Sequence, residues 1–149
     1  MINSDPNYKE KALRSFYLQS AMKSLQAELI VQGPGAVSIK FPYQSKYTQQ
    51  NGYLHAGILS TILDSACGYA AYTLMPPDAD VLTVEFKVNL LRPAKGEAFQ
   101  AKGSVLKAGR TLSVVEGIIH SSEYSEEKPV ASMTATIMTI DTPHNKFDR

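Results

Sequence analysis

The sequence has a single cysteine, Cys67, so no internal disulfide can form and the fold must be held by packing alone. It has no surplus of either charge. Lys and Arg total 15 against 14 Asp and Glu, a formal net charge of +1. Bulk nucleic-acid binding needs a clear basic excess and is excluded, although a small basic patch for a phosphorylated ligand is not. No apolar run of signal-peptide length opens the chain, because charges interrupt MINSDPNYKEKALRSFYLQS; a cytoplasmic protein is expected. Residues 56–76 carry one charge, Asp64, but Ser60, Thr61, Asp64, Ser65 and Thr73 make them a poor hydrocarbon span. A helix buried inside protein fits better, and no membrane partner is expected. Repeats, low-complexity tracts and linkers are absent. His120 and His144 lack Cys or carboxylate partners at metal-ligand spacing, so neither a metal nor another cofactor is predicted.

What is present suits one domain covering residues 1–149, with a hydrophobic fraction of 44% to fill its core. Residues 8–23 mix apolar and charged positions and read as an amphipathic helix. Residues 27–42 read as two strands broken at Gly33-Pro34-Gly35, a strong turn signal. A polar loop then leads to a helix over 57–74, which Pro76-Pro77 must stop. With little charge on any face, that helix should be covered nearly all round. The period then switches to two. Leu82, Val84, Phe86, Val88 and Leu90 alternate with polar residues and should cover the helix, leaving Thr83 on the other face. Strands at 97–107, 111–121 and 130–140 follow, and short connections make all four consecutive strands antiparallel neighbours. A tail from about residue 141 should be frayed. The economical arrangement is α+β: a curved antiparallel sheet wrapped around one central helix.

Asp64 is the residue with most to say about chemistry. A carboxylate in an uncharged helix must be paired, face a wet cavity, or be neutralised, and no Lys or Arg lies within one helical turn of it. Two readings stand: a boundary residue capping a loop, or a catalytic base in a cleft. His55-Ala56-Gly57 opens the helix, where free first-turn amides can stabilise an oxyanion, although an ordinary capping turn looks the same in sequence. Asp64 lies seven residues beyond Gly57, about 10 Å along a helix rising 1.5 Å per residue. A base and an oxyanion donor must both approach the reacting group to about 3 Å. If both act, two subunits must supply them. Cys67 shares the helix face of Asp64 but reads more simply as a small buried hydrophobe.

QQNGYLHAGILSTILDSACGYAA followed by VEFKVNLLRPAKGE resembles the PaaI-like acyl-CoA thioesterases of the hotdog superfamily, over roughly residues 27–140. Gly52, His55, Gly57, Asp64 and Arg92-Pro93-Ala94 fall in step with the family pattern. The resemblance implies a hotdog fold and an active site at a dimer interface, with a homodimer that pairs into a homotetramer. It implies acyl-CoA hydrolysis, with Asp64 as general base or nucleophile and the amide of Ala56 or Gly57 polarising the thioester carbonyl. Where the family has HGG, this chain has His55-Ala56-Gly57. The Asn that the family carries six residues before the His is Gln49, which keeps the amide; Asn51 is two positions out of register and is left as a substrate contact. Thr83 aligns with a family Ser or Thr. Arg92 and Arg110 are candidate contacts for CoA phosphates, and Tyr53, Leu54, Tyr69 and Tyr72 suggest an apolar pocket. A dehydratase using His55, or a non-catalytic acyl-CoA sensor, are the competing functions.

Overall fold

The computed structural model describes residues 5–142. Two short helices open it, α1 (Tyr8–Phe16) and α2 (Ser20–Ser24), then strands β1 (Glu28–Gly33) and β2 (Ala36–Pro42). A 3₁₀ turn at Ser45–Tyr47 precedes the long helix α3 (Ala56–Tyr72). Strands β3 (Ala79–Leu90), β4 (Ala98–Lys107), β5 (Leu112–Ser121) and β6 (Ala131–Asp141) complete it. All six strands form one antiparallel sheet in the order β1-β2-β4-β5-β6-β3. The sheet wraps α3, as expected of an α+β chain with one apolar helix to cover.

Three expectations need correcting. The single N-terminal helix is two helices, with Leu18 exposed at the break. Phe16 and Met22 are both fully buried, yet six residues along one helix they would point about 120° apart. The break lets both reach the core. Second, β3 and β4 are consecutive but not neighbours. The loop between them passes β6 and β5 to reach the interior of the sheet, with the Leu91 and Arg92 amides both donating to the Val130 carbonyl. Third, α3 ends at Tyr72, and two tight turns, Leu74 to Ala71 and Met75 to Tyr72, precede Pro76. The expected frayed tail, and with it His144, lies from residue 143 outside the described residues.

The core is the interface between α3 and the sheet. Leu59, Ile62, Leu63, Ala66 and Cys67 are buried against Val37, Ile39, Val115, Ile119, Met133 and Ile137. Two cross-strand partners, Gly103 on β4 and Gly117 on β5, lie beneath the middle of the helix. A Cβ on Gly103 would stand 2.3 Å from the Ala66 carbonyl oxygen, and one on Gly117 would stand 3.0 Å from Cys67 Sγ. At Gly103 helix backbone therefore rests on sheet backbone, closer than any side chain permits, while Gly117 makes room for the side chains of Cys67 and Leu63.

The other side of α3 is covered by α1. Phe16 meets the Tyr69 ring edge-on at 5.4 Å, while Ser15 and Gln19 both hydrogen-bond the Tyr69 hydroxyl. Lys11 donates to the Met75 and Pro76 carbonyls at 3.0 Å each, lies over the Tyr72 ring, and pairs with Asp5 at 3.6 Å. A cation there satisfies the carbonyls beyond the helix C-terminus. Burial lowers the Lys11 pKa, an effect that Asp5 partly opposes.

Candidate active site

The start of α3 is fixed by its neighbours before the helix begins. The Leu54 amide donates to Ala94 O and the His55 amide to Tyr47 O, each at 3.0 Å. His55 is the N-cap in extended conformation, and its Nδ1 accepts the Gly57 amide at 2.9 Å. Its ring proton therefore sits on Nε2 in the neutral form. The Ile58 and Leu59 amides both donate to the His55 carbonyl. Among the described residues, the Ala56 amide alone of the first turn has no partner. Of the two amides expected to polarise a carbonyl, Gly57 is occupied and Ala56 is open.

Gln49 sits in the turn before the helix. Its Oε1 accepts the Asn51 amide at 2.5 Å and the Tyr53 amide at 3.3 Å. The side chain closes its own turn through the oxygen and keeps its Nε2 donor. Asn51 is exposed, and its backbone amide is spent on that closure.

Eight residues beyond Ala56, the half-buried Asp64 accepts a hydrogen bond from Thr83 Oγ1 at 2.6 Å. Thr83 therefore faces the helix, against the face expected from its alternating neighbours. The cause is a register shift between Thr83 and Glu85. Thr83 pairs with Ile137, but Glu85 pairs with the very next residue, Thr136. Val84 is an extra residue, a bulge, and one extra residue exchanges the two faces of a strand. Leu82 consequently points away from the helix, and Leu82, Val84 and Phe86 are 56%, 51% and 43% exposed. Leu82 and Val84 therefore do not cover α3 as expected, whereas beyond the bulge Phe86 and Val88 keep the expected face, paired with the buried Ala135 and Met133. Among the described residues no ion pair reaches Asp64.

Two grooves flank the helix start. One, of about 400 Å³, is lined by Gln49, Tyr53, Leu54, Ala56, Leu59 and the segment 90–94. The other, of about 390 Å³, is lined by Lys46, Tyr47, Thr48, His55, Gly57, Ile58 and Thr61. Asp64 lines neither. Within one chain, Gln49, Ala56 and Arg92 are brought together and the Asp64–Thr83 pair stands apart. Arg92 donates through Nη1 to Pro129 O at 2.7 Å, which ties part of its guanidinium to a loop. Arg110 lies at the opposite end of α3, beside Leu74, Met75 and Pro76. Tyr53 and Leu54 do line a groove, but Tyr69 and Tyr72 are buried between α3 and α1, and burial pushes the Tyr69 hydroxyl pKa up. Leu59, Leu90 and Leu91 were not legible as groove residues, because in sequence they only continue apolar patterns.

Cys67 is fully buried, and burial, with Asp64 and Glu116 adding to it, pushes its thiol up to about 12. It is no nucleophile near neutral pH. Among the described residues no three His, Cys, Asp or Glu side chains are placed to hold a metal ion, and no helix is long and apolar enough to cross a membrane.

Comparison with known proteins adds the lineage. The profile of the thioesterase superfamily matches residues 51–127. A thioesterase family protein from Silicibacter pomeroyi is 48% identical, with a TM-score of 0.86 covering 90% of this chain and 98% of that one. The PaaI protein of Escherichia coli, from the phenylacetic acid degradation operon, is 18% identical and shares the fold, with a TM-score of 0.82 over 91% of this chain and 95% of its own. YigI of Escherichia coli, a medium/long-chain acyl-CoA thioesterase, is 34% identical over 98 residues, 57% of this chain and 61% of YigI. The shared stretch spans between 54% and 66% of the length of such curated relatives, several of which are named only as esterases.

Proposed function

Because this chain belongs to the thioesterase superfamily and has its hotdog fold, we propose that it hydrolyses an acyl-CoA thioester to the carboxylic acid and CoA at a site shared by two subunits. The observation that carries the reading is the pair of prepared groups on α3: an unpartnered Ala56 amide at its start and a carboxylate, Asp64, held by Thr83. The Ala56 amide donates to the thioester carbonyl oxygen and stabilises the oxyanion as it forms. Asp64 takes a proton from water, which attacks the carbonyl carbon; collapse of the tetrahedral intermediate expels the CoA sulfur, which leaves as the thiol with that proton. Direct attack by the carboxylate, followed by hydrolysis of the anhydride, uses the same residues. Gln49 Nε2 orients the water or the carbonyl. The relative YigI, named for acyl-CoA, supports this substrate class.

Eight residues of helix separate Ala56 from Asp64 by about 12 Å, so each serves a site completed by the other subunit. The surface of β3 supports that assembly. It is a 12-residue edge strand with Leu82, Val84, Phe86 and Leu90 exposed, and long apolar edges are seldom left open. A second copy pairing along it gives the homodimer. The outward-facing row of Leu82, Met138 and Leu112 offers a further apolar surface on which dimers pack into a tetramer. A cytoplasmic location belongs to the same reading. His55 as a dehydratase base is disfavoured, since its Nδ1 is committed to the Gly57 amide.

Asp64→Asn tests this directly. Thiol release from a panel of acyl-CoA esters should fall by at least about 10²–10⁴-fold, while light scattering still reports the assembled protein and acyl-CoA binds as well or better. Wild-type turnover in the folded variant, or full activity from a monomer, would sink the shared-site mechanism. Binding without turnover in the wild type would leave the sensor.

A further inference from the structure

A thioester joins two unlike arms at one carbon. One is the acyl group; the other is the long polar arm of CoA, which carries its phosphates. With the carbonyl at the Ala56 amide, the two arms must leave the helix start in different directions, and the two flanking grooves differ in the way the arms do. The groove with Ala56 on its wall presents Tyr53, Leu54, Leu59, Leu90 and Leu91, with Gln49 and Arg92 as its polar members. The groove on the other flank has Lys46, Tyr47, Thr48, His55 and Thr61. No carboxylate lines either one.

The donors of the second groove are few. The Thr48 and Thr61 hydroxyls donate to the Ser45 and Gly57 carbonyls, and the Tyr47 hydroxyl is bonded to Ser24. Lys46 has its Nζ 5.1 Å from the centre of the Tyr47 ring and forms no ion pair among the described residues. His55 adds an Nε2–H, because its Nδ1 is an acceptor. The competing cations are worse placed. Arg92 spends Nη1 on Pro129 and lies in the first groove. Arg110 lies at the far end of a 17-residue helix, about 25 Å away.

Resting on the thioesterase reading, we infer that the substrate straddles the helix start, its acyl chain in the Leu59 groove and its CoA arm in the Lys46 groove, with Lys46 binding a CoA phosphate. A phosphate-free thioester separates this from a structural role. Lys46→Ala should raise KM for acyl-CoA roughly tenfold, the loss expected of one charge-assisted contact, with kcat little changed. The same acyl group carried on N-acetylcysteamine, which has no phosphate, should keep its KM. Lys46→Arg should restore acyl-CoA binding to within about twofold, since the positive charge is kept. Equal losses on both esters, or none on either, overturn the inference. So does an acyl-CoA defect produced by Arg92→Ala or Arg110→Ala and not by Lys46→Ala. If the wild type hydrolyses neither ester, the thioesterase reading is what has failed. Calorimetry then decides the groove alone: Kd for CoA itself must weaken about tenfold in Lys46→Ala, or the inference falls with it.

Discussion

Gln49 spends its side-chain oxygen on two amides of its own turn, so removing the side chain loosens the approach to α3 as well as taking away a donor. Two substitutions separate these effects. Gln49→Ala should slow turnover by roughly 10–100-fold, a modest share of acid–base catalysis. Gln49→Glu keeps the oxygen and the turn but loses the Nε2 donor. If the donor orients the reacting groups, the two variants are similarly slow; a Gln49→Glu enzyme with the wild-type rate assigns Gln49 to the turn alone. Thr83→Val, which frees Asp64 from its hydrogen bond, should have a smaller effect than Gln49→Ala. Much of this neighbourhood was legible in sequence, because an isolated carboxylate and a small-residue helix start are chemically conspicuous. The orientation of Thr83 was not. Alternation assigns faces only while the register is regular, and Val84 is a bulge that no neighbouring residue announces.

At the scale of elements, α3 holds its place because β4 and β5 each set a glycine beneath its middle, Gly103 and Gly117. Gly103→Ala would drive a Cβ to 2.3 Å from the Ala66 oxygen, which belongs to backbone and cannot rotate away. Such overpacking costs about 1–3 kcal/mol, which thermal denaturation should show as a melting temperature lowered by several degrees. Gly33→Ala is the control, since an added Cβ there meets nothing within 4 Å, and its melting temperature should scarcely move. The element types and their rough bounds followed from period and turn signals, but the strand order did not. Short connections favour neighbours, but β3 pairs with β6 and β4 with β2 and β5, so the loop after β3 crosses over, bonded through Leu91 and Arg92 to Val130. The split of the N-terminal helix was equally hidden, because it serves the core contacts of Phe16 and Met22 and not a local breaker.

The whole molecule has β3 at the edge of its sheet with Leu82, Val84, Phe86 and Leu90 exposed, and the proposed shared site joins that edge to a distance along one helix. The molecule also keeps its single thiol sealed. Cys67 lies between α3 and Gly117 with its pKa raised from 9.0 to about 12, chiefly by burial. Below pH 9 the thiol is protonated in both folded and unfolded chains and contributes nothing to pH dependence. Between about 9 and 12 the unfolded chain releases a proton that the native chain retains, so stability must fall as pH rises through that window. Melting temperatures measured from pH 8 to pH 10.5 should decline, and less steeply in Cys67→Ala. The same seal makes the folded protein silent toward thiol reagents. In a mixture with acyl-CoA, colour from such a reagent counts released CoA and leaves the protein uncounted. Without substrate, the slow appearance of one thiol per chain is a clock for global unfolding, read from an atom that no surface event can reach.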